Sequence, residues 1–343
     1  MNKDLGRFLV SFTAVMVIPA ALVLFYIVSD PFMIIRRYDN YYENYFGSTN
    51  RDMAGSRTLI RQTEKGVHYE SFILGSSLTQ CILVPEWERV SGVKNAYHWD
   101  AHHEGIFGVW SKVKWLDSTN HPFKNVLLEL DDILLSITAN GGGFMYFKEP
   151  AIAGNSEAER QYEAIKSYFS NPFFLAHIHW YFSGKFLPYM EKYTLNPNSY
   201  YSNTKTNDLS YIQQMHLVKT DSAAFYKRLH GMSNLEPAFM PGNCVLNNES
   251  RQMLKDIKAV FDRKHVNYKV LLFPRVKRPV FCEKDIRFIQ SVFGTEKVYY
   301  EPKTAYKITE LNDFFDVHHA KPYFGTRLLE KMYKPQLPTV HLP

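Results

Sequence analysis

The strongest hydrophobic pattern in the chain is a single apolar run close to its start. From Phe8 to Val28 the sequence reads FLVSFTAVMVIPAALVLFYIV, and between Arg7 and Asp30 the only ionisable side chain is that of Tyr26. At 1.5 Å per residue, a helix of this length is about 30 Å long, which matches the hydrocarbon core of a bilayer. The run exceeds the usual apolar core of a signal peptide, and no small-x-small cleavage site follows it. We therefore expect an uncleaved transmembrane anchor, with a cleaved signal peptide as the alternative.

Beyond this run, short apolar stretches alternate with stretches of helical periodicity. Apolar runs predict strands at 68–74, 93–97, 125–130, 268–273 and 297–300. Helical spacing predicts helices at 104–116, 250–264, 283–293 and 322–333, with Asn248 as the N-cap of the second. Strands that alternate with helices need crossover connections, so the pattern predicts an α/β fold with a mainly parallel sheet. In such a sheet, sites form outside the carboxyl ends of the strands.

The pattern also divides the chain into an anchor, a linker and one α/β domain with an insertion. The predicted ranges are 1–30 for the anchor, 31–66 for a polar linker, 67–338 for the domain and about 139–243 for the insertion. The insertion contains predicted helices and a concentration of aromatic residues, namely Tyr168, Phe169, Phe173, Phe174, Trp180, Tyr181 and Phe182. These rings could stack on sugars or meet a membrane partner, or they could form a helical cap that buries its rings against the sheet.

Composition and charge narrow the classes of function. The net charge of +6 over 343 residues is only mildly basic, and no dense Lys/Arg run is present, so we expect no nucleic-acid binding. The three cysteines form no CxxC pair, which argues against a zinc ribbon or a thioredoxin-like centre. Cys244 and Cys282 could form one disulfide in an oxidising compartment, which only their geometry decides.

A polar group near the second predicted strand offers another set of candidate metal ligands. His98, Asp100, His102 and His103 could gather around an ion, but no partner motif accompanies them. We interpret them as a polar loop with locally hydrogen-bonded histidines. Neither a metal nor a cofactor is therefore predicted.

Two predicted strand ends carry residues suited to nucleophilic catalysis. Gly75-Ser76-Ser77 follows the first strand, where glycine permits a tight turn and a serine can present its hydroxyl and backbone N–H at the sheet edge. Asp316-Val317-His318-His319 precedes the last helix. A serine hydroxyl becomes an effective nucleophile when an imidazole takes its proton and a carboxylate fixes the imidazole tautomer. Each motif alone carries little information, but the pair in this order indicates a Ser-His-Asp site.

With these two motifs and the alternating strands and helices, the chain resembles the SGNH/GDSL hydrolases. The resemblance covers roughly 69–138 and 243–332, and with the anchor it is closest to the membrane-anchored branch that includes the alginate O-acetylation and teichoic-acid D-alanylation proteins. It implies a three-layer flavodoxin-like domain. It also implies that Ser77 is the nucleophile, His319 the base and Asp316 its orienting carboxylate.

Two alternatives qualify this assignment of residues. His318 is an alternative to His319 as the base, although the spacing in the family favours His319. The G-x-S-x-G elbow of the α/β-hydrolases does not fit, because Thr79 stands where its second glycine should be.

The chain departs from the family at the oxyanion hole. The family usually has a glycine after its second strand and an asparagine after its third, and both lend hydrogen-bond donors. Here Asp100 lies after the second predicted strand and Asp131 after the third. A carboxylate facing a developing oxyanion would oppose catalysis, and loss of one donor typically costs about a hundred- to a thousand-fold in rate. Backbone amides or an inward-pointing Asn95 could substitute, so we take Gly75, Asn95, Asp100 and Asp131 as candidate oxyanion or substrate residues.

The resemblance implies an extracytoplasmic serine esterase or O-acyltransferase that modifies a cell-envelope polysaccharide through an acyl-serine intermediate. It also implies a multi-pass membrane acyltransferase as partner, because a single anchor offers no route for an acyl group across the bilayer. Lys3 and Arg7 precede the anchor while Arg36 and Arg37 follow it, so the positive-inside rule barely distinguishes the two orientations. The alternative hypothesis is a catalytically inert, membrane-tethered scaffold in polysaccharide modification or export.

Overall fold

A computed structural model describes residues 3–42, 50–170, 172–194, 196–232, 243–273, 281–300 and 312–333. Its strands are β1 (Ser71–Ser76), β2 (Ala96–Ala101), β3 (Asn125–Leu130), β4 (Tyr201–Ser202), β5 (Leu209–Ser210), β6 (Asn267–Leu272) and β7 (Val298–Tyr299). Five of them form one sheet in the order β2-β1-β3-β6-β7, and all its pairings are parallel. The prediction of an α/β fold with a parallel sheet is confirmed. The short strands β4 and β5 form a separate antiparallel pair.

Thirteen α-helices accompany these strands in the described part of the chain. They are α1 (Lys3–Ser29), α2 (Arg51–Glu64), α3 (Val84–Ser91), α4 (Ile106–Ser118), α5 (Asp132–Ser136), α6 (Pro150–Ala153), α7 (Glu157–Ser170), α8 (Phe173–Ser183), α9 (Ile212–Thr220), α10 (Ser222–Met232), α11 (Asn248–Arg263), α12 (Glu283–Phe293) and α13 (Pro322–Tyr333). Short 3-10 helices include Ser77–Cys81, directly after β1. Within the predicted insertion, α7 and α8 lie where helices were expected, whereas α6, α9 and α10 were not predicted.

Both faces of the sheet are buried, which explains the near-continuous apolar sequence of its strands. Because successive strand residues point to opposite faces, Phe72 and Leu74 belong to one core cluster and Ile73 to the other. The first cluster is completed by α4, α11 and α12, and the second by α3 and α13. Helices therefore cover the sheet on both sides and leave its carboxyl edge to the loops.

The N-terminal helix α1 is long and apolar enough to cross a membrane. Its candidate span is Asp4–Ser29, with a mean hydropathy of 2.5 over its best window and none of that window buried against the protein. A signal sequence near an N-terminus can meet the same criteria of length and apolar composition. The side of a membrane on which the domain lies does not follow from this helix.

The predicted linker at 31–66 is partly wrong, because it contains the ordered helix α2. The Tyr97 hydroxyl donates to the Gly55 carbonyl at 2.7 Å, and the Trp99 indole donates to the Ser56 hydroxyl at 2.9 Å. These contacts join α2 to β2, and most of the first two turns of α2 are buried. The helix was missed because several of its buried residues, such as Arg51, Asp52 and Ser56, are polar and find their partners only in the folded domain.

Two further boundaries differ from the prediction. The second strand runs over Ala96–Ala101 rather than 93–97, so His98, Trp99 and Asp100 lie within the strand and not after it. The N-cap of α11 is Asn247 rather than Asn248, since the Asn247 side chain accepts the backbone N–H of Ser250.

Cys244 and Cys282 form a disulfide that joins the segment before α11 to the N-cap of α12. The third cysteine, Cys81, is a buried free thiol. Burial raises the pKa of this thiol, which makes it a poor nucleophile.

Candidate active site

The candidate nucleophile Ser77 lies at the carboxyl end of β1, an internal strand of the sheet. Register pairs Ser76 with Ala101 of β2, while β3 flanks the other side of β1. The sheet order changes direction here, because β1 is followed in the chain by its neighbour on one side and then by its neighbour on the other. Such a switch point opens a crevice at the carboxyl edge of a parallel sheet. Ser77 starts the 3-10 helix at this position.

Gly75 is required two residues before Ser77 for a steric reason. Its φ of +154° is strained for other residues, and a Cβ there would lie 2.6 Å from the Glu129 carboxylate and 2.9 Å from the Thr79 methyl group. Glycine therefore lets β1 approach β3 closely. Its role is to position the serine, which differs from the predicted direct role in binding an oxyanion or substrate.

Three side chains from opposite ends of the chain meet in the arrangement of a catalytic triad. His319 Nε2 lies 3.1 Å from the Ser77 hydroxyl, and His319 Nδ1 lies 2.9 Å from Asp316 Oδ2. An ionised carboxylate only accepts hydrogen bonds, so Nδ1 carries the proton and Nε2 is left as the acceptor that faces Ser77. The three residues predicted as nucleophile, base and orienting carboxylate are therefore brought together.

The Asp316 carboxylate also organises the turn that carries the base. Its other oxygen, Oδ1, accepts the backbone N–H groups of His318 and His319 at 2.7 and 2.8 Å. Burial alone would raise the pKa of Asp316, but the hydrogen bond and charge of His319 and these two N–H groups lower it to about 2. Asp316 is thus a permanent anion at neutral pH. His318 meets the carboxylate through its backbone, whereas His319 reaches Ser77.

A network of buried polar groups holds the 3-10 helix that begins at Ser77. Gln80, one turn after Ser77, donates to Asp100 at 2.9 Å and accepts from the Tyr211 hydroxyl at 2.6 Å. The ring of Tyr211 lies 5.6 Å from that of His319, centroid to centroid. Ser77 and His319 are consequently connected to one network of contacts through Gln80 and Tyr211.

Asp100 is the anionic end of that network and is fully buried against Arg51 of α2. Arg51 Nε donates to its two oxygens at 2.9 and 2.7 Å. Burial raises the pKa of Asp100, but the Arg51 guanidinium outweighs burial and holds it below its usual range. The predicted role of Asp100 at the oxyanion needs correction, since its charge is neutralised inside the protein and it supports Gln80 instead.

Asp131 follows β3, where the family has its asparagine, and its carboxylate is also occupied. One oxygen accepts the backbone N–H groups of Ile133 and Leu134 at the start of α5, at 2.7 and 3.0 Å. The other lies 2.9 Å from the Ser76 hydroxyl, which also lies 3.0 Å from Glu129. This carboxylate therefore meets Ser76 rather than Ser77. An acceptor-only group of this kind offers no hydrogen bond to an oxyanion.

Asn95 is not brought to the site, which corrects its prediction as an oxyanion donor. It immediately precedes β2 in a left-handed conformation with φ of 52°, and its carbonyl accepts the Glu70 N–H at 3.0 Å. The site lies beyond Ala101, at the other end of the strand. At about 3.3 Å per residue, the two ends are roughly 16–20 Å apart.

His102 occupies the position after β2 and was not predicted as a site residue. It follows Ala101, which is registered beside Ser76, and its side chain is half-buried. Burial, with smaller contributions from Arg51 and His319, lowers the pKa of the His102 imidazole to about 4. His102 is therefore neutral at pH 7 and can donate one ring N–H. The sequence analysis considered His102 only as a possible metal ligand, because the predicted second strand ended at residue 97 and left His102 away from the sheet edge.

The residues considered as metal ligands are engaged differently in the fold. His98 lies 3.1 Å from Asp208 and 2.8 Å from the Thr79 hydroxyl, while Asp100 pairs with Arg51. Elsewhere in the described residues, Cys244, Cys282 and Asp285 bring ligand atoms within 4.8 Å of one another, but the two sulfurs are joined as a disulfide. A disulfide lacks the thiolates that bind metals.

Arg51, Gln80 and Tyr211 are the parts of this site that the sequence analysis missed, and His102 was considered there only as a possible metal ligand. Gln80 alone had a local signal, because it lies one helical turn after Ser77 on the same face. Arg51 and Tyr211 come from the predicted linker and insertion, and no sequence spacing links them to the motifs. Comparison of the chain with protein-family models, with curated proteins and with solved structures finds no significant match.

Proposed function

We propose that this protein is a serine esterase or O-acyltransferase of the SGNH type that forms an acyl-enzyme on Ser77. The observation that carries the proposal is the line of hydrogen bonds from Asp316 through His319 to Ser77, with distances of 2.9 and 3.1 Å. Counted within the main sheet alone, the strand order is 2-1-3-4-5, the doubly wound order of flavodoxin-like domains. That order supports the finer assignment to a three-layer SGNH domain.

The proposed reaction has two steps. In the first, the Ser77 oxygen attacks the acyl carbon while His319 Nε2 takes the hydroxyl proton, and the resulting imidazolium is stabilised by Asp316. The C–O bond of the acyl donor then breaks, and His319 returns the proton to the leaving oxygen. In the second, His319 takes a proton from water or a sugar hydroxyl, whose oxygen attacks the acyl-serine. The bond between the acyl carbon and the Ser77 oxygen breaks, and His319 returns the proton to Ser77. Water gives hydrolysis, and a sugar gives transfer.

Stabilisation of the oxyanion must come from donors other than the family's asparagine. The Ser77 N–H is at the start of a 3-10 helix, and the half-buried, neutral His102 follows Ala101, the register partner of Ser76 at the end of β2. We assign these two groups as donors. With these two donors in place of the family's three, we expect a slow enzyme, because each donor is worth about a hundred- to a thousand-fold in rate.

The proposed location is the outer side of a cell membrane, with α1 as the anchor. The length and hydropathy of α1 support anchoring. The disulfide between Cys244 and Cys282 supports an oxidising compartment, since such bonds are rare in the cytosol. A cell-envelope polysaccharide as acceptor and a multi-pass acyltransferase as acyl supplier follow from the resemblance alone.

The alternative is a catalytically inert scaffold, and one observation favours it. Asp131 places a carboxylate, held by Ser76 and the start of α5, where a hydrogen-bond donor is expected. A scaffold would preserve the fold and the membrane anchor and would lack reactivity at Ser77.

Covalent labelling separates the two functions. The full-length protein in detergent is treated with a fluorophosphonate, and the modified residue is mapped by mass spectrometry. An enzyme is labelled at Ser77, the label is lost in Ser77→Ala, and it is retained in Ser291→Ala, a matched change of an exposed serine on α12. A wild-type protein that is never labelled, together with Ser77→Ala that still supports glycan acylation in cells, would establish the scaffold instead.

A further inference from the structure

The aromatic helix α8 packs against the end of the candidate membrane anchor. Phe25, near the end of α1, contacts Tyr181 with ring centroids 5.1 Å apart, Phe182 at 5.9 Å and His177 at 5.5 Å. Tyr26 contacts Tyr168 of α7 at 5.0 Å. The last turns of α1 are thus integrated into the aromatic insertion rather than separated from it by a tether.

The segment after α1 is also held rigidly. The buried Asp30 carboxylate accepts the backbone N–H groups of Ile34, Ile35 and Arg36 at 2.8 to 3.1 Å. Arg57 of α2 donates to the Met33 carbonyl at 2.8 Å. These bonds close the chain between anchor and domain into a compact turn. The domain therefore has a fixed orientation relative to α1.

The outward face of α8 is mainly apolar, and its exposed polar side chain His179 is hydrogen-bonded to the Tyr189 hydroxyl at 2.9 Å. Its sequence, FFLAHIHWYFS, contains no Asp, Glu, Lys or Arg. Leu175 and Phe182, seven residues apart and hence on the same face, are 57% and 75% exposed, and Tyr181 is 47% exposed. Such a face is unusual on a surface in contact with water, since exposed apolar patches of this kind mark an interaction site.

The contact with α1 sets the depth at which this face of α8 would lie in a membrane. Phe25 lies four residues before Ser29, the end of α1, and at 1.5 Å per residue this is about 6 Å inside the helix end. Helices that lie in a membrane surface bury their apolar face about 5–10 Å into the boundary of headgroups and acyl chains. Tyr and Trp side chains concentrate at the same level, and α8 ends in Trp180-Tyr181-Phe182.

We infer that α8 is an interfacial helix whose exposed apolar face lies in the lipid leaflet, so that the domain is seated on the bilayer in one orientation. This inference rests on the anchoring part of the proposed function. Its consequence for the enzyme is that the site is presented at a constant angle and height to substrates made at the membrane, rather than swinging on a linker. The occupant of the face is lipid, and Leu175 and Phe182 are its principal contacts.

Depth-dependent quenching tests the inference on the full chain. Single cysteines at Leu175 or Phe182 are labelled with a bimane fluorophore; the native Cys81 is buried and does not compete. The labelled protein is reconstituted into phosphatidylcholine vesicles that contain a nitroxide near the headgroup end of the acyl chain. We expect severalfold stronger quenching at both sites than at Lys255→Cys, an exposed position on α11.

A fourth label separates the possible failures. Val15→Cys lies midway along α1 and is 70% exposed to the surroundings of that helix. If a nitroxide near the acyl-chain terminus quenches Val15 while Phe182 and Leu175 behave like Lys255, α1 is an anchor and the interfacial role of α8 is refuted. If the label at Val15 is also not quenched, α1 is not a membrane anchor, and the interfacial role of α8 is refuted as well. Fluorophosphonate labelling of Ser77 is independent of both results.

Discussion

Replacement of Asp316 by Asn tests whether His319 is held in the tautomer that activates Ser77. The carboxylate accepts the two backbone N–H groups of His318 and His319 on Oδ1 and the imidazole Nδ1–H on Oδ2. An amide has only one oxygen, and the two backbone donors require it at the Oδ1 position. The amide nitrogen then donates to Nδ1, which forces the imidazole proton onto Nε2. In that tautomer His319 cannot accept the proton of Ser77.

The expected effect is a loss of reactivity without a loss of fold. Changing the triad carboxylate to its amide lowers the rate roughly ten-thousand-fold in a chymotrypsin-type protease, by the same tautomer mechanism. In the reverse orientation the amide NH₂ group would face the two backbone N–H donors and could not accept their hydrogen bonds, so this orientation is disfavoured. Since the amide oxygen preserves both backbone bonds, the turn should keep its conformation and the melting temperature should change little.

The assay is the second-order rate constant for fluorophosphonate labelling of Ser77 in the full-length protein. Asp262→Asn is the matched control, because it removes a carboxylate from a surface ion pair with Lys258 on α11. We expect the control to react like the wild type. If Asp316→Asn keeps most of the wild-type rate while Ser77→Ala abolishes labelling, then His319 does not activate the serine by the proposed route.

Three further predictions concern stability. Gly75→Ala should lower the free energy of unfolding by about 1–3 kcal/mol, since the new Cβ would meet the Glu129 carboxylate; a melting temperature equal to that of the wild type would contradict the steric argument. Because the folded-state pKa of His102 is lowered to about 4 from 6.5, the unfolded chain binds its proton first as pH falls. The contribution of neutral His102 to the free energy of unfolding is therefore fully present above about pH 6.5 and is lost as the pH falls toward 4. Denaturant titrations at several pH values should show that the free energy of unfolding depends less on pH in His102→Gln than in the wild type. Replacing Cys244 and Cys282 by Ser opens a loop of sequence separation 38 and should cost about 4 kcal/mol by chain entropy, measured by denaturant unfolding; an unchanged midpoint would contradict it.

The strands whose sequences are apolar on both faces could be predicted closely, and β3 agrees with its prediction residue for residue. The second strand was misplaced because its sequence, AYHWDA, carries His98 and Asp100 into the buried sheet. Their burial is compensated by Asp208 and Arg51, which lie far away in the sequence. The hydrophobic pattern of the sequence does not show which distant residues pair with a buried polar side chain. The predicted strand therefore ends where the polar residues begin.

The same limit explains the parts of the site that were missed. The motif residues Ser77, His319 and Asp316 were recognisable because each chemical type stands at a strand or helix boundary. Arg51 begins α2 and Tyr211 precedes α9, but neither helix was predicted from the sequence. Both residues enter the site only through tertiary contacts with Asp100 and Gln80.

Sequence alone determined the local features of this protein: the apolar α1, the buried strands and the short Asp-x-x-His turn, in which Asp316 and His319 are neighbours by construction. These follow from the periodicity of side chains and from bonds between residues a few positions apart. Tertiary structure alone decided that His319 meets Ser77 across 242 residues of chain, and that Asp131 turns to Ser76. The reason is physical, because the parallel register of β1, β2 and β3 sets which side chains share the edge of the sheet, and that register depends on the packing of the entire core.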